Sequence, residues 1–117
     1  MKIRTGFVSN SSSTAFLVAN ISTTKKTLVD FVQEVGQDML NDFIKEYDWY
    51  KNDERFKLET MIENAKNRGK VVFKPGEELI LSFGDEEGDI LGQVFDYMLR
   101  DERKSENFHW EFYEWRR

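Results

Sequence analysis

The chain has no cysteine, one proline and one histidine. Without cysteine there is no disulfide, no thiolate metal ligand and no cysteine nucleophile, and a reducing cytoplasm is the setting that fits. The lone histidine, His109, excludes paired-histidine zinc motifs such as HExxH, and no GxSxG sequence occurs. No apolar run approaches the ~18 residues that read as a membrane span. The start lacks the basic-then-apolar pattern of a signal peptide, because TGFVSNSSST interrupts it. No motif implies a cofactor or a metal, and the expectation is a soluble cytoplasmic protein without a membrane partner.

Acid is missing from one region altogether. Residues 1–29 hold Lys2, Arg4, Lys25 and Lys26 and no carboxylate, although the whole chain carries a net charge of −5. From Asp85 to Glu114 the balance reverses, with ten carboxylates against Arg100, Arg103 and Lys104. Such a balance repels a nucleic-acid backbone and suits a basic protein surface, while its plainer meaning is a solvated face that keeps the protein dissolved.

What the chain does have is aromatic mass. Ten Phe and three Trp in 117 residues supply enough buried surface for a folded core and argue against disorder. That length serves one core rather than two, so residues 1–117 are expected to form a single domain.

KIRTGFV puts Ile3, Thr5 and Phe7 on one side of a strand, and TAFLVAN is apolar on both sides, as a central strand is. Between them Ser9 to Ser13 reads as a five-residue hairpin loop, with a wider crossover around another strand as the alternative. Ser22, Thr23 or Thr24 can cap a helix with the stripe Leu28, Val32, Val35, Met39, Phe43 and Tyr47, leaving Lys26, Asp30, Glu34 and Asp38 off it. Gly36 within that helix either permits close packing or marks a bend. Asn52 or Asp53 can cap a second helix with the stripe Leu58, Met61, Ile62 and Ala65, ended by Gly69. KVVFKPGEELILSFG reads as extended structure around a Pro75-Gly76 turn, and DILGQVFDYMLRD as a third helix capped by Asp89. In ENFHWEFYEWRR, Phe108, Trp110 and Phe112 alternate as on a strand, whereas Phe108, Phe112 and Trp115 fit helical spacing; aromatic richness favours the strand. The predicted fold is α+β, a small mainly antiparallel sheet packed against two or three helices.

No residue pattern marks a catalytic centre. Trp49 with Tyr50 at a helix end, and Trp115 near the end of the sequence, are candidate binding anchors. With Asp85, Glu86, Glu87 and Asp89 they make a partner-binding set. Asp85, Glu87 and Asp89 alternate in a short loop and could converge on Ca²⁺ or Mg²⁺, but Gly88 is misplaced for an EF-hand, and a solvated loop capping the next helix is the default. His109, between two aromatics, reads as a polar member of an alternating strand. The patch SNSSST offers an alternative site: Ser9, Asn10, Ser11, Ser12 and Ser13 with Arg4 could hold an anion such as a phosphorylated metabolite or nucleotide. It lacks the glycines and lysine of a phosphate-binding loop, and such a segment also serves as a turn, a modification site or a cleavage site.

The opening MKIRTGFVSNSSSTAF resembles the start of a set of short phage, prophage and bacterial proteins that begin with a similar strand and continue GFVSNSSSSSF. LILSFGDEEGDILGQVFDYMLRDERKSENFHWEFYEW resembles a later part of the same set, and the two blocks cover roughly half the chain. This sequence departs at Thr14 and Ala15, where the resembling proteins continue the serine run. The resemblance brings no catalytic residues. It implies a phage-type accessory protein in the host cytoplasm, a class that commonly blocks a host enzyme or defence system by binding it. Residues and resemblance together predict a non-enzymatic protein with a basic host or viral protein as its partner.

Overall fold

Small and apolar residues on both faces make Ser13–Asn20 (β1) a strand that can be enclosed from every side. The computed structural model describes residues 13–84 and 89–116, and in it β1 is the second strand of a four-stranded antiparallel sheet. Its neighbours are Glu78–Gly84 (β4) and Phe108–Arg116 (β6), and the two-residue strand Arg103–Lys104 (β5) completes the order β4-β1-β6-β5. Lys26–Thr27 (β2) and Val72–Phe73 (β3) pair separately. Three helices, Leu28–Glu46 (α1), Leu58–Asn67 (α2) and Ile90–Met98 (α3), pack with the sheet. The α+β architecture predicted from sequence is the one observed.

Both edges of β1 are taken along its length, Thr14 to Ala19 lying opposite residues of β4 on one side and β6 on the other. Ser13 is the first residue of β1 and is buried, so it belongs to the sheet and not to a connecting loop. The anticipated strand around Ile3 to Phe7 lies outside the described residues.

α1 begins later than its sequence indicated. Its cap is Thr27, whose hydroxyl accepts from the Asp30 backbone N–H while the Asp30 carboxylate accepts from Thr27 N, a reciprocal capping box. Of the residues expected to cap it, Ser22 donates from its N–H and hydroxyl to Asn20 Oδ1, and the Thr24 carbonyl accepts from Asn20 Nδ2. Lys26 therefore sits in β2. α2 also starts beyond the expected Asn52 or Asp53, with Lys57 at the cap position and no side-chain cap bond. Asp53 instead accepts from the Arg55 guanidinium and backbone N–H, which hold its carboxyl down to about 2. α3 is capped by Asp89 as predicted, and Gly69 and Gly76 adopt the positive φ that their turns require.

The core is aromatic. Phe31 of α1 meets Phe95 of α3 at 5.6 Å between ring centroids, and Phe108 and Trp110 of β6 at 4.9 and 5.6 Å. These edge-on contacts join two helices to the sheet through one side chain, and each such pair adds about 0.5–1.5 kcal/mol beyond burial. Gly36 serves close packing, since a Cβ there would fall 2.9 Å from the Leu58 side chain of α2. α3 approaches β4 more tightly still. A Cβ on Gly92 would lie 2.6 Å from the Gly84 carbonyl oxygen and 2.8 Å from Asp89 Oδ1, which accepts from Gly92 N. The same carboxylate pairs with Arg68 at 3.0 Å, and the Asn64 side chain accepts from Ile90 N and Leu91 N.

Glu34 fastens the β5–β6 turn to α1, its carboxylate accepting from the Ser105 hydroxyl, from Asn107 N at 2.9 Å and from Asn107 Nδ2 at 2.7 Å. Burial pushes this carboxyl up, but those bonds and the charge of Lys26 outweigh it and hold Glu34 below its ordinary value of 4.5. Its stabilising contribution is therefore present above 4.5 and is lost as the pH falls through the lowered value. Glu34→Gln should accordingly lose less stability than the parent between neutral and strongly acidic pH, as read by urea midpoints across that range. Gly92→Ala should destabilise by about 1–3 kcal/mol in urea unfolding, because the backbone carbonyl it meets cannot swing aside as a side chain would.

Candidate protein-contact surface

Consecutive elements supply rings to one side of the molecule. The last turns of α1 present Phe43 and Tyr47, the 3₁₀ turn Asp48–Tyr50 adds Tyr50, and the chain then returns with Phe56. Tyr50 stacks on Phe56 at 4.4 Å and Phe43 on Phe56 at 5.7 Å, while Tyr47 meets Phe43 tilted at 4.9 Å. α3 carries the series onward: Gln93 donates to Tyr50 Oη at 3.1 Å, and one turn later Tyr97 meets Tyr47 at 5.7 Å. Arg100 follows, its guanidinium 4.9 Å from the Tyr97 ring centre and 4.6 Å from that of Trp115, and Trp115 meets Phe112 at 5.2 Å. The rings run from Phe56 to Tyr97 and, bridged by Arg100, on to Trp115 and Phe112.

A register shift in β6 closes that series. Ala15 lies opposite Glu114 but Phe16 opposite Phe112, so Tyr113 is an extra residue with no counterpart in β1. In a regular strand, residues 112 and 115 would point to opposite faces. The bulge adds one residue and returns Trp115 to the face of Phe112, opposite Thr14. It also explains the mixed periodicity of ENFHWEFYEWRR, which is a strand with one residue inserted.

Arg100 is held from beneath. Asp96 is buried, its carbonyl accepting from Arg100 Nε at 2.8 Å and its carboxylate from the same guanidinium at 3.3 Å and from the Thr14 hydroxyl at 2.6 Å. A side chain otherwise rich in rotamers is thereby fixed between two rings, a cation–π arrangement worth about 0.5–1 kcal/mol per ring at an exposed site. The outer members stay accessible, Tyr97 and Phe112 at 37% and Trp115 at 52%. Beyond β5, which pairs only with His109 and Trp110, the stretch Phe112 to Trp115 has a strand neighbour on the β1 side alone among the described residues. Beside the rings a cleft of about 510 Å³ opens between the end of α1 and the end of α3, its charges of both signs: Asp42, Glu46 and Asp101 against Lys45 and Arg103.

The residues singled out from sequence fall into separate groups. Trp115 is an exposed ring at the end of the series. Tyr50 is half-buried at its base, and Trp49 belongs to the same 3₁₀ turn. Asp89 is committed inward to Arg68 and the α3 cap. Asp85, Glu86 and Glu87 lie outside the described residues, but Gly84, which precedes them, stands opposite Ser13, and Ser13 stands opposite Arg116. Gly84 and the end of β6 are thus about 10 Å apart, two strand spacings, at the same end of the sheet. Ser13 is buried in β1, while Arg4, Ser9, Asn10, Ser11 and Ser12 lie outside the described residues. Tyr47, Tyr97, Arg100 and Phe112 were not singled out in the sequence. The spacing of Tyr97 and Arg100, one helical turn apart just before an aromatic strand, was the available signal.

No helix among the described residues is long and apolar enough to cross a membrane. The chain matches no protein-family model, no curated protein and no solved structure.

Thr14→Val removes the hydroxyl donor from the buried Asp96 carboxylate and keeps the volume. It should cost about 1–3 kcal/mol in urea unfolding, the range for a buried acceptor that loses a partner.

Proposed function

We propose that this chain is a non-enzymatic accessory protein of phage type, working in the host cytoplasm, that binds and blocks a basic host protein, of the kind that serves in defence. The carrying observation is the series of rings from Tyr50 to Phe112, bridged by Arg100 where it lies between Tyr97 and Trp115. Tyr, Trp and Arg dominate the centres of protein interfaces because they bury large area at little entropic cost when already held in place. Here Asp96 supplies the holding before any partner arrives.

The acidic balance from Asp85 to Glu114 complements that surface: Asp85, Glu86 and Glu87 directly follow Gly84 in sequence, and their charge suits a basic partner. Charge there governs encounter and salt dependence, whereas the rings govern how long the complex lasts.

Affinity capture of the tagged protein from host lysate at low and high salt tests this reading. A protein retained in stoichiometric amount by the parent should be lost on Trp115→Ala, which removes roughly 2 kcal/mol, about thirtyfold in affinity. Replacing Asp85, Glu86 and Glu87 by their amides should weaken capture chiefly at low salt. Retention unaffected by either change, with both variants folded, would refute the proposal.

A further inference from the structure

We infer that Glu102, His109 and Glu111 bind a divalent transition-metal ion of the zinc type, on the face of the sheet away from the helices. His109 and Glu111 are two apart on β6 and so share a face, opposite the one that carries Phe108 and Trp110 into the core. Glu102 reaches them from just before β5, whose Lys104 lies opposite His109.

The spacing suits a small cation. His109 Nε2 and Glu102 Oε2 are 2.8 Å apart, and one donor atom from each of the three side chains lies within 4.8 Å of the others. Atoms bound to one zinc at about 2.0–2.2 Å stand about 3.0–3.4 Å from each other at tetrahedral to octahedral angles. The His109–Glu102 pair already has nearly that separation, and Glu111 needs to close by little more than an ångström, which its side-chain torsions permit. A hydrogen bond joins Nε2 and Oε2. A metal takes the place of that bond, with the neutral imidazole coordinating through Nε2 and carrying its one proton on Nδ1.

Two further observations favour a ligand. Glu111 is half-buried, yet its carboxylate has no hydrogen bond or ion pair among the described residues, and it stands beside a second carboxylate that would repel it. The frame is also fixed in advance, since Glu34 clamps Ser105 and Asn107 in the turn between the two ligand-bearing segments. An imidazole nitrogen with two carboxylates favours Zn²⁺, Co²⁺ or Ni²⁺ over Mg²⁺ and Ca²⁺, and three protein donors leave room for water on the ion. The Lys104 charge on the same face is exposed and screened by solvent. Such an ion would tie the segment before β5 to β6, and it depends in no way on the aromatic surface.

His109 is the only histidine, so its imidazole resonances report on this site alone. The full chain, free of any histidine tag, is titrated with Zn²⁺ in a calorimeter while the ring nitrogens are followed by NMR. One Zn²⁺ per chain should bind, with Nε2 shifting on saturation and a hundredfold excess of Mg²⁺ failing to displace it. His109→Ala and Glu111→Gln should each weaken binding at least tenfold while leaving the circular dichroism spectrum unchanged. Absence of stoichiometric uptake, or uptake that neither substitution weakens, would overturn the assignment. The Glu111 variant keeps the test decisive should the His109 variant fail to fold.

Discussion

Pairing of β1 on both sides is the constraint from which the rest of this fold follows. A strand enclosed by β4 and β6 must be apolar or small on both faces, and the polar side chains it does carry must find partners inside. Thr14 finds Asp96 near one end, and Asn20 at the other satisfies its side chain with the carbonyls of Thr24, Phe73 and Lys74 and with Ser22. Asn20 thus fastens the connection toward α1 and the strand β3 to the sheet, while Thr14 fastens α3. The two ends of one strand place all that surrounds the aromatic core.

The exposed surface inherits its order from that arrangement. Asp96 is buried because α3 lies close on the sheet, and α3 lies close because Gly92 lets its first turn touch the Gly84 carbonyl. From that buried carboxylate Arg100 extends outward to the rings. A cationic side chain at the surface is usually free to sample many rotamers, whereas this one is gripped by Asp96 below and by aromatic faces on both sides. The bulge at Tyr113 supplies the last piece by rotating Trp115 into place.

Periodicity in the sequence was enough to find α1, α2, α3 and the strands β1, β4 and β6, because each buries a stripe of large apolar residues at its own repeat. Helix starts were harder. Ser22, Thr23, Thr24 and Thr27 all have capping chemistry; Thr27 makes the cap, while Asn20, a residue with no local signal, takes the Ser22 hydroxyl and the Thr24 carbonyl. The grip on Arg100 was equally hidden, since Thr14 and Asp96 are 82 residues apart and only the folded sheet brings them together. His109 reads from sequence as a solitary polar residue on a strand, which is true of its position on β6. Its neighbours Glu102 and Glu111 acquire meaning only when β5 turns one of them back. The bulge, finally, made a strand look partly helical, and no composition rule distinguishes the two.

Long sequence separation between β1 and its partners also bears on how the chain is made. Phe16 pairs with Leu81 and with Phe112, so the strand that organises the sheet leaves the ribosome long before either neighbour exists. At ordinary synthesis rates of about 5–20 residues per second, the wait for β6 is on the order of 5–20 s. During that interval α1 and α2 can form from local contacts, but the apolar faces and unpaired edges of β1 have only those helices to cover them. Completion of the sheet therefore waits for β6, nearly a hundred residues after β1.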